Sequence, residues 1–259
     1  MKKKKNTVPP LLAQRVAIVT GGAAGLGRSI AHLFANHGAV GAILDLDGRA
    51  TEAAAPDGWL PLKADVTDEM SLANTFQATA THFGRLDIVV ANAGCVPSWA
   101  SVADLEFEQW DRVFAVNVRG VAATIKQAVP YLKANGGSVI VMASTSAWRA
   151  QAGQCLYTAT KHAVLGIVRA AAQDLGPMGI RVNALGPGPV ATDAMRGRIE
   201  ARRNLTNLNV EKALESYGME TALGRIATEA DVAQTAVFLA SDLASGLTGM
   251  VAPIDCGWS

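Results

Sequence analysis

Short apolar runs alternate with longer amphipathic stretches from one end of this chain to the other. Residues 15–20, 40–44, 59–63, 86–91, 139–142, 180–185 and 250–254 read as strands, most of them rich in Val, Ile, Leu and Ala as in strands buried on both faces. Residues 59–63 are the weakest of them. Between the strands, residues 26–36, 68–83, 107–133 and 154–175 read as helices. Asp68 and Glu69 open the second of these, where acidic groups suit the positive end of a helix. Strands alternating with helices predict a parallel sheet covered on both faces. Right-handed crossovers wind such a sheet doubly. The expected fold class is therefore α/β, a single doubly wound domain of about seven parallel strands flanked by helices. Two stretches depart from the rhythm. The segment after Asp45 is short, which predicts a stunted second helix. Residues 194–221 are polar and weakly patterned and hold Arg196, Arg198, Arg202 and Arg203. An insertion of that kind serves as a substrate lid or as a solvated surface helix.

Composition changes this picture little. A length of 259 residues suits one α/β domain with a large core. The formal net charge of +1 provides no global field for nucleic acid or a membrane surface. No apolar run is long enough to span a bilayer. Lys2 to Lys5 form a basic run, but the apolar Leu11-Leu12-Ala13 is cut short by Gln14 and Arg15, so export is not expected. Residues 1–12 read as a flexible tail ahead of a domain covering residues 13–259. Cys95, Cys155 and Cys256 are odd in number and widely spaced, which suggests neither a disulfide framework nor a zinc site and fits a reducing cytoplasm. His32, His37, His82 and His162 form no ligand pattern, so no metal is implied.

The first strand runs into Thr20-Gly21-Gly22-Ala23-Ala24-Gly25-Leu26-Gly27. Glycines allow a tight turn and let a phosphate approach the backbone, and the helix that follows points free N–H groups at the anion. The spacing is T-G-x-x-x-G-x-G rather than G-x-G-x-x-G, and no Gly-Lys-Ser/Thr follows, which disfavours a nucleoside triphosphate loop. Asp45 ends the second strand about 20 residues beyond the glycines, where an acid can bind ribose hydroxyls. Its charge would repel the extra phosphate of NADP, and neither Ala24 nor Leu46 offers a cation in return, so NAD is the expected cofactor. The other reading of Asp45 and Asp47 is that they open a turn.

Tyr157 and Lys161 are four residues apart in a helical stretch and share a face. A nearby ammonium favours the phenolate, which would let Tyr157 exchange a proton with an alcohol or ketone. The pair alone is unspecific, and its surroundings carry the argument. With Thr20 to Gly27, Asp65-Val66, Asn92-Ala93-Gly94, Asn117 in Asn-Val-Arg-Gly, Ser144 ahead of Tyr157, and Pro187-Gly188-Pro189-Val190-Ala191-Thr192, the chain resembles the main branch of the short-chain dehydrogenase/reductase family over nearly its whole length.

The resemblance implies a Rossmann-type domain and hydride transfer between a nicotinamide cofactor and a secondary alcohol or ketone. It implies that Ser144 holds the substrate oxygen, Tyr157 is the acid/base, Lys161 binds the ribose and tunes Tyr157, and Asn117 anchors a proton-relaying water. It assigns Gly21, Ala24, Gly25, Leu26, Gly27, Asp45 and Leu46 to the cofactor, with Asp65 and Val66 at adenine. Asn92, Ala93 and Gly94 then line the ribose side, and Pro187, Gly188, Val190 and Thr192 the nicotinamide side. It also implies a homo-oligomer, a tetramer by the family's habit. Val96, Trp99, Trp148, Gln154 and Met195, with Tyr217, are the candidate substrate contacts, beside Ser144 and Tyr157, and suggest a largely apolar pocket. Ala91, Gly186 and Cys256 depart from the family's Asn, Ser and Gly at those places. A non-catalytic NAD(H)-binding regulator is the main alternative, against which the complete Ser144, Tyr157 and Lys161 set argues. An extended-branch epimerase would space its glycines differently, and a halohydrin dehalogenase would carry Arg in place of Lys161.

Overall fold

A computed structural model describes residues 10–201 and 209–258. Among these, the strands are β1 (Val16–Thr20), β2 (Val40–Asp45), β3 (Leu60–Lys63), β4 (Ile88–Ala91), β5 (Gly137–Met142), β6 (Ile180–Pro187) and β7 (Val251–Ile254). They pair in the order β3-β2-β1-β4-β5-β6-β7, every pair parallel. The doubly wound sheet expected from the alternating pattern is the sheet that forms. The interior strand β1 shows why these runs lack an apolar/polar alternation. Val16 and Ile18 enter one core with Leu72, Phe76 and Val164, whereas Ala17 and Val19 enter the other with Ile30, Phe34 and Val232. Both faces are covered, so every position must be apolar.

One face is covered by α3 (Glu69–Phe83), α5 (Gly120–Leu132) and α6 (Cys155–Leu175). The other is covered by α1 (Gly25–Asn36), against which α9 (Glu229–Ala240) packs. The α9 helix is absent from the sequence reading above. Its start carries a capping box, in which the Thr228 hydroxyl accepts from Asp231 N at 3.1 Å and the Asp231 carboxylate accepts from Thr228 N at 2.8 Å.

Four expectations are refined. The second helix, α2 (Gly48–Ala54), is indeed short, with Asp47 capping it through Arg49 N and Ala50 N. The single helix expected over residues 107–133 is broken into α4 (Phe107–Phe114) and α5 by a π turn at Ala115–Arg119, where Gly120 N reaches back to Ala115 O. The wider turn accompanies the burial of Asn117 in the core. Residues 194–221 hold α7 (Asp193–Ala201) and α8 (Val210–Met219), while Arg202 and Arg203 lie outside the described residues. Most of the tail, residues 1–9, also lies outside them, but Leu12 is fully buried and its N–H donates to His37 O at 3.0 Å. Leu12 fills space beside α1, and Leu11 packs against the same core. No helix among the described residues is long and apolar enough to cross a membrane.

Candidate active site

From β1 the chain crosses to β2 through α1, and from β4 it crosses to β5 through α4 and α5 on the opposite face. A doubly wound sheet opens a crevice at the carboxyl ends of the strands where its winding reverses. A cavity of about 890 Å³ lies there.

Main-chain groups build one half of it. Gly21 turns with φ of 64°, and a Cβ on Gly27 would stand 2.1 Å from Gly21 O, so helix and turn meet at a distance only glycine permits. Gly27 stands behind the turn, while Gly21, Ala24, Gly25 and Leu26 line the cavity. No side chain caps α1 at Ala24, which leaves its first N–H groups open to an anion. The turn is braced to β4. The Thr20 hydroxyl accepts from Asn92 N and Ala93 N at 3.0 and 3.1 Å, and Asn92 Nδ2 donates to Thr20 O and Gly21 O at 2.9 and 3.0 Å. The Asp45 carboxylate accepts from Ala23 N at 3.0 Å and Leu46 N at 2.8 Å and faces the same space. Asp65 accepts from Thr67 N and its hydroxyl at 2.8 and 2.7 Å and lines the wall with Val66. Asn92, Ala93, Gly94, Leu46, Pro187, Gly188, Val190 and Thr192 complete it. An uncapped helix start, a glycine turn and a carboxylate beyond it fit a dinucleotide.

Ser144 follows β5 in extended conformation and accepts from Ser146 N at 3.1 Å, capping the short turn Thr145–Ala147. It both caps that turn and lines the cavity, where it meets Tyr157 from α6. Burial pushes the Tyr157 phenol above its ordinary pKa, while the hydrogen bond with Ser144 and the positive charge of Arg198 pull it partly back. Lys161, one helical turn on, is 6% exposed, and burial brings its ammonium down to about 8. Its Nζ donates to Met142 O at 2.7 Å and lies 5.6 Å from the Tyr157 ring centroid. Lys161 turns to this main-chain carbonyl, while Ser144 and Arg198 are the groups that pull the phenol down. Asn117 does not line the cavity. Its Oδ1 accepts from Cys95 N and its Nδ2 donates to Cys95 O, both at 2.8 Å, with a longer contact to Thr160 at 3.4 Å. Its side chain is thus engaged in fixing the loop after β4.

Of the candidate substrate contacts, Val96, Trp99, Gln154, Met195 and Tyr217 line the cavity. Trp148 does not. Its ring lies against Gly186, where a Cβ would come within 2.5 Å of ring carbon Cη2, so the glycine in place of the family's serine makes room for an indole. Glu220 and Trp258 also line the cavity, as do Arg149 and Arg198, for which the sequence left open an acidic group or a solvated face. The Arg198 signal lay in α7, whose residues 194, 195, 198 and 199 share one face. Trp258 gave none, because it arrives through an antiparallel bridge to Thr221.

Comparison with known proteins agrees with this geometry. Residues 21–259 match a family model described as enoyl-(acyl carrier protein) reductase. Short-chain dehydrogenase reductase 5 of Arabidopsis thaliana is 38% identical, the alignment covering 95% of this chain and 94% of that protein. The crystal structure of levodione reductase superposes with a TM-score of 0.88 at 32% identity, covering 95% of this chain and 97% of that one. A 3-ketoacyl-(acyl-carrier-protein) reductase from Brucella melitensis, solved with NADH, superposes with a TM-score of 0.86 at 32% identity, covering 96% and 99%. The chain belongs to the short-chain dehydrogenase/reductase family of oxidoreductases, which bind a nicotinamide cofactor.

Proposed function

We propose that this protein is an NAD-dependent dehydrogenase that interconverts a secondary alcohol and a ketone. The observation that carries the reading is the meeting of Ser144 and Tyr157 in the cavity that also holds the uncapped start of α1 and Asp45. When bound, the cofactor supplies or accepts the hydride. The uncapped N–H groups of α1 hold its pyrophosphate, and Asp45 holds the adenosine ribose and disfavours a 2′-phosphate. Lys161, now on the Met142 carbonyl, would hold the other ribose.

In the reducing direction the Ser144 hydroxyl donates to the ketone oxygen and steadies its developing charge. The Tyr157 Oη–H then gives that oxygen a proton. A phenol raised by burial is neutral near pH 7, which suits an acid. In the oxidising direction Tyr157 must first lose that proton; Ser144 and Arg198 favour the loss, and a bound oxidised cofactor would add positive charge. Asn117 acts as a positioning residue through Cys95, and we keep the proton-relay water as a proposal for its main chain. α7 and α8 form the lid side of the cavity. The family resemblance supports a homo-oligomer, and the odd, widely spaced cysteines fit a reducing, cytoplasmic setting.

The test follows absorbance of NADH with purified protein and a panel of cyclic ketones and their alcohols, NADPH in parallel. Turnover with NADH above NADPH is the expected result. NADH binding without turnover of any carbonyl would contradict the reading and favour a binding-only protein.

A further inference from the structure

The substrate end of the cavity is more highly charged than the sequence suggested. Arg149 and Arg198 both line it, each with its guanidinium over an indole on the same wall. Arg149 lies 5.5 Å from the Trp258 ring centroid, and Arg198 lies 5.7 Å from that of Trp99. A guanidinium over an aromatic face keeps a planar fork of N–H donors. Such a fork matches two acceptor oxygens side by side.

The Trp258 platform is firmly set. Its Nε1 donates to the Glu220 carboxylate at 3.0 Å. Trp258 bridges antiparallel to Thr221 after α8, where Ala222 N and Leu223 N donate to Gly257 O and Cys256 O at 3.0 and 3.1 Å. Two carboxylates line the cavity at this end as well. Glu220 sits at the indole edge, and Asp193 occupies the first turn of α7. Among the described residues no carboxylate pairs with Arg149, whose recorded contact is the face of Trp258. Arg198 is closer to the chemistry, since its charge acts on Tyr157. Arg149 is thus a fixed, half-buried cation in the substrate space, apart from the reacting pair.

Resting on the dehydrogenase reading, we propose that Arg149, held on Trp258, is an anion-binding subsite, and that the preferred substrate is a ketone or alcohol carrying a carboxylate away from its reacting carbon. The carboxylate accepts two N–H groups from Arg149 while the ketone oxygen lies between Ser144 and Tyr157. The carboxylate takes no part in the hydride step. It anchors the end of the substrate that does not react.

Two arms test this. The first compares reduction of 4-oxocyclohexanecarboxylate with that of its neutral, isosteric carboxamide by NADH. The acid is expected to lead in kcat/KM by roughly tenfold or more, through KM, as charge-assisted hydrogen bonds allow. Arg149→Met should bring the ratio of acid to amide close to one, and Arg149→Lys should restore part of it. The second arm needs no turnover. It titrates the protein–NADH complex with cyclohexanecarboxylate and with cyclohexanecarboxamide, following NADH fluorescence. Tighter binding of the acid, lost in Arg149→Met and weakened by salt, supports the subsite. If neither ketone is reduced while the acid still binds selectively, the dehydrogenase reading fails and the subsite stands. Equal treatment of acid and amide by the wild type in the second arm overturns the proposal. So does an Arg149→Met variant that weakens both alike, because Arg149 then only supports the packing of Trp258.

Discussion

The two halves of the cavity are made in different ways. The cofactor half is largely main chain: a turn, a helix start and the ends of adjacent strands, locked by Thr20 and Asn92 within a few residues of β1 and β4. The substrate half is mostly side chain. Arg149 comes from the loop after β5, Met195 and Arg198 from α7, Tyr217 and Glu220 from α8 and its end, and Trp258 from the C-terminal segment. Main-chain geometry tolerates little change, because glycine positions have no substitute. Side chains from scattered loops can change one at a time. One half is therefore a fixed device for a constant cofactor and the other an adjustable wall for a particular substrate.

Substitutions can separate the halves. The largest effect is expected from Gly27→Val, whose Cβ would meet Gly21 O at 2.1 Å. Fluorescence titration should show NADH binding abolished, with any surviving folded protein retaining its far-UV spectrum. Near-normal NADH affinity would show that the turn is not the rigid part. Next is Asp45→Asn, which removes the carboxylate at the ribose position. The preference for NADH over NADPH should narrow about tenfold, as loss of one charge interaction near a protein surface allows, read as a ratio of KM values.

On the substrate side, Trp99→Ala should raise KM for ketones several-fold with NADH affinity unchanged. Trp148→Ala should leave KM alone and lower the melting temperature, since its ring packs on Gly186 outside the cavity. A KM effect at Trp148 equal to that at Trp99 would redraw the wall.

The pH dependence gives a signed prediction. Burial raises the Tyr157 phenol, so alcohol oxidation, which needs the phenolate, should accelerate as pH rises above neutrality. Arg198 opposes that rise, so Arg198→Met should move the oxidation limb to higher pH. A limb that stays in place would mean that the cofactor's own charge governs Tyr157.

The smallest effect concerns Cys256. It adopts φ of 57°, in the left-handed region that favours glycine, and it stands where the family has glycine. Cys256→Gly should stabilise the protein by up to about 1 kcal/mol, read as a small rise in the chemical denaturation midpoint.

The same division explains what the sequence disclosed. The strands, the glycine turn, Asp45, Ser144, Tyr157 and Lys161 were legible because each depends on its neighbours along the chain. The break at Ala115–Arg119 was not, since a π turn leaves the chain helical on both sides and has no residue signature of its own. Trp148 and Trp258 were equally opaque. Both are tryptophans near motif residues, and only long-range packing puts one against Gly186 and the other on the cavity wall. α9 could have been found, because Thr228-Glu229-Ala230-Asp231 ahead of an apolar run is a capping signal.

The most direct test of the central claim is Tyr157→Phe, assayed for ketone reduction by NADH with NADH affinity measured on the same preparation. The account predicts turnover lower by about 10³-fold or more with affinity nearly unchanged, because the variant keeps the ring and loses only the proton donor. Turnover within about tenfold of the wild type would contradict it, and would place the acid on another group or in solvent.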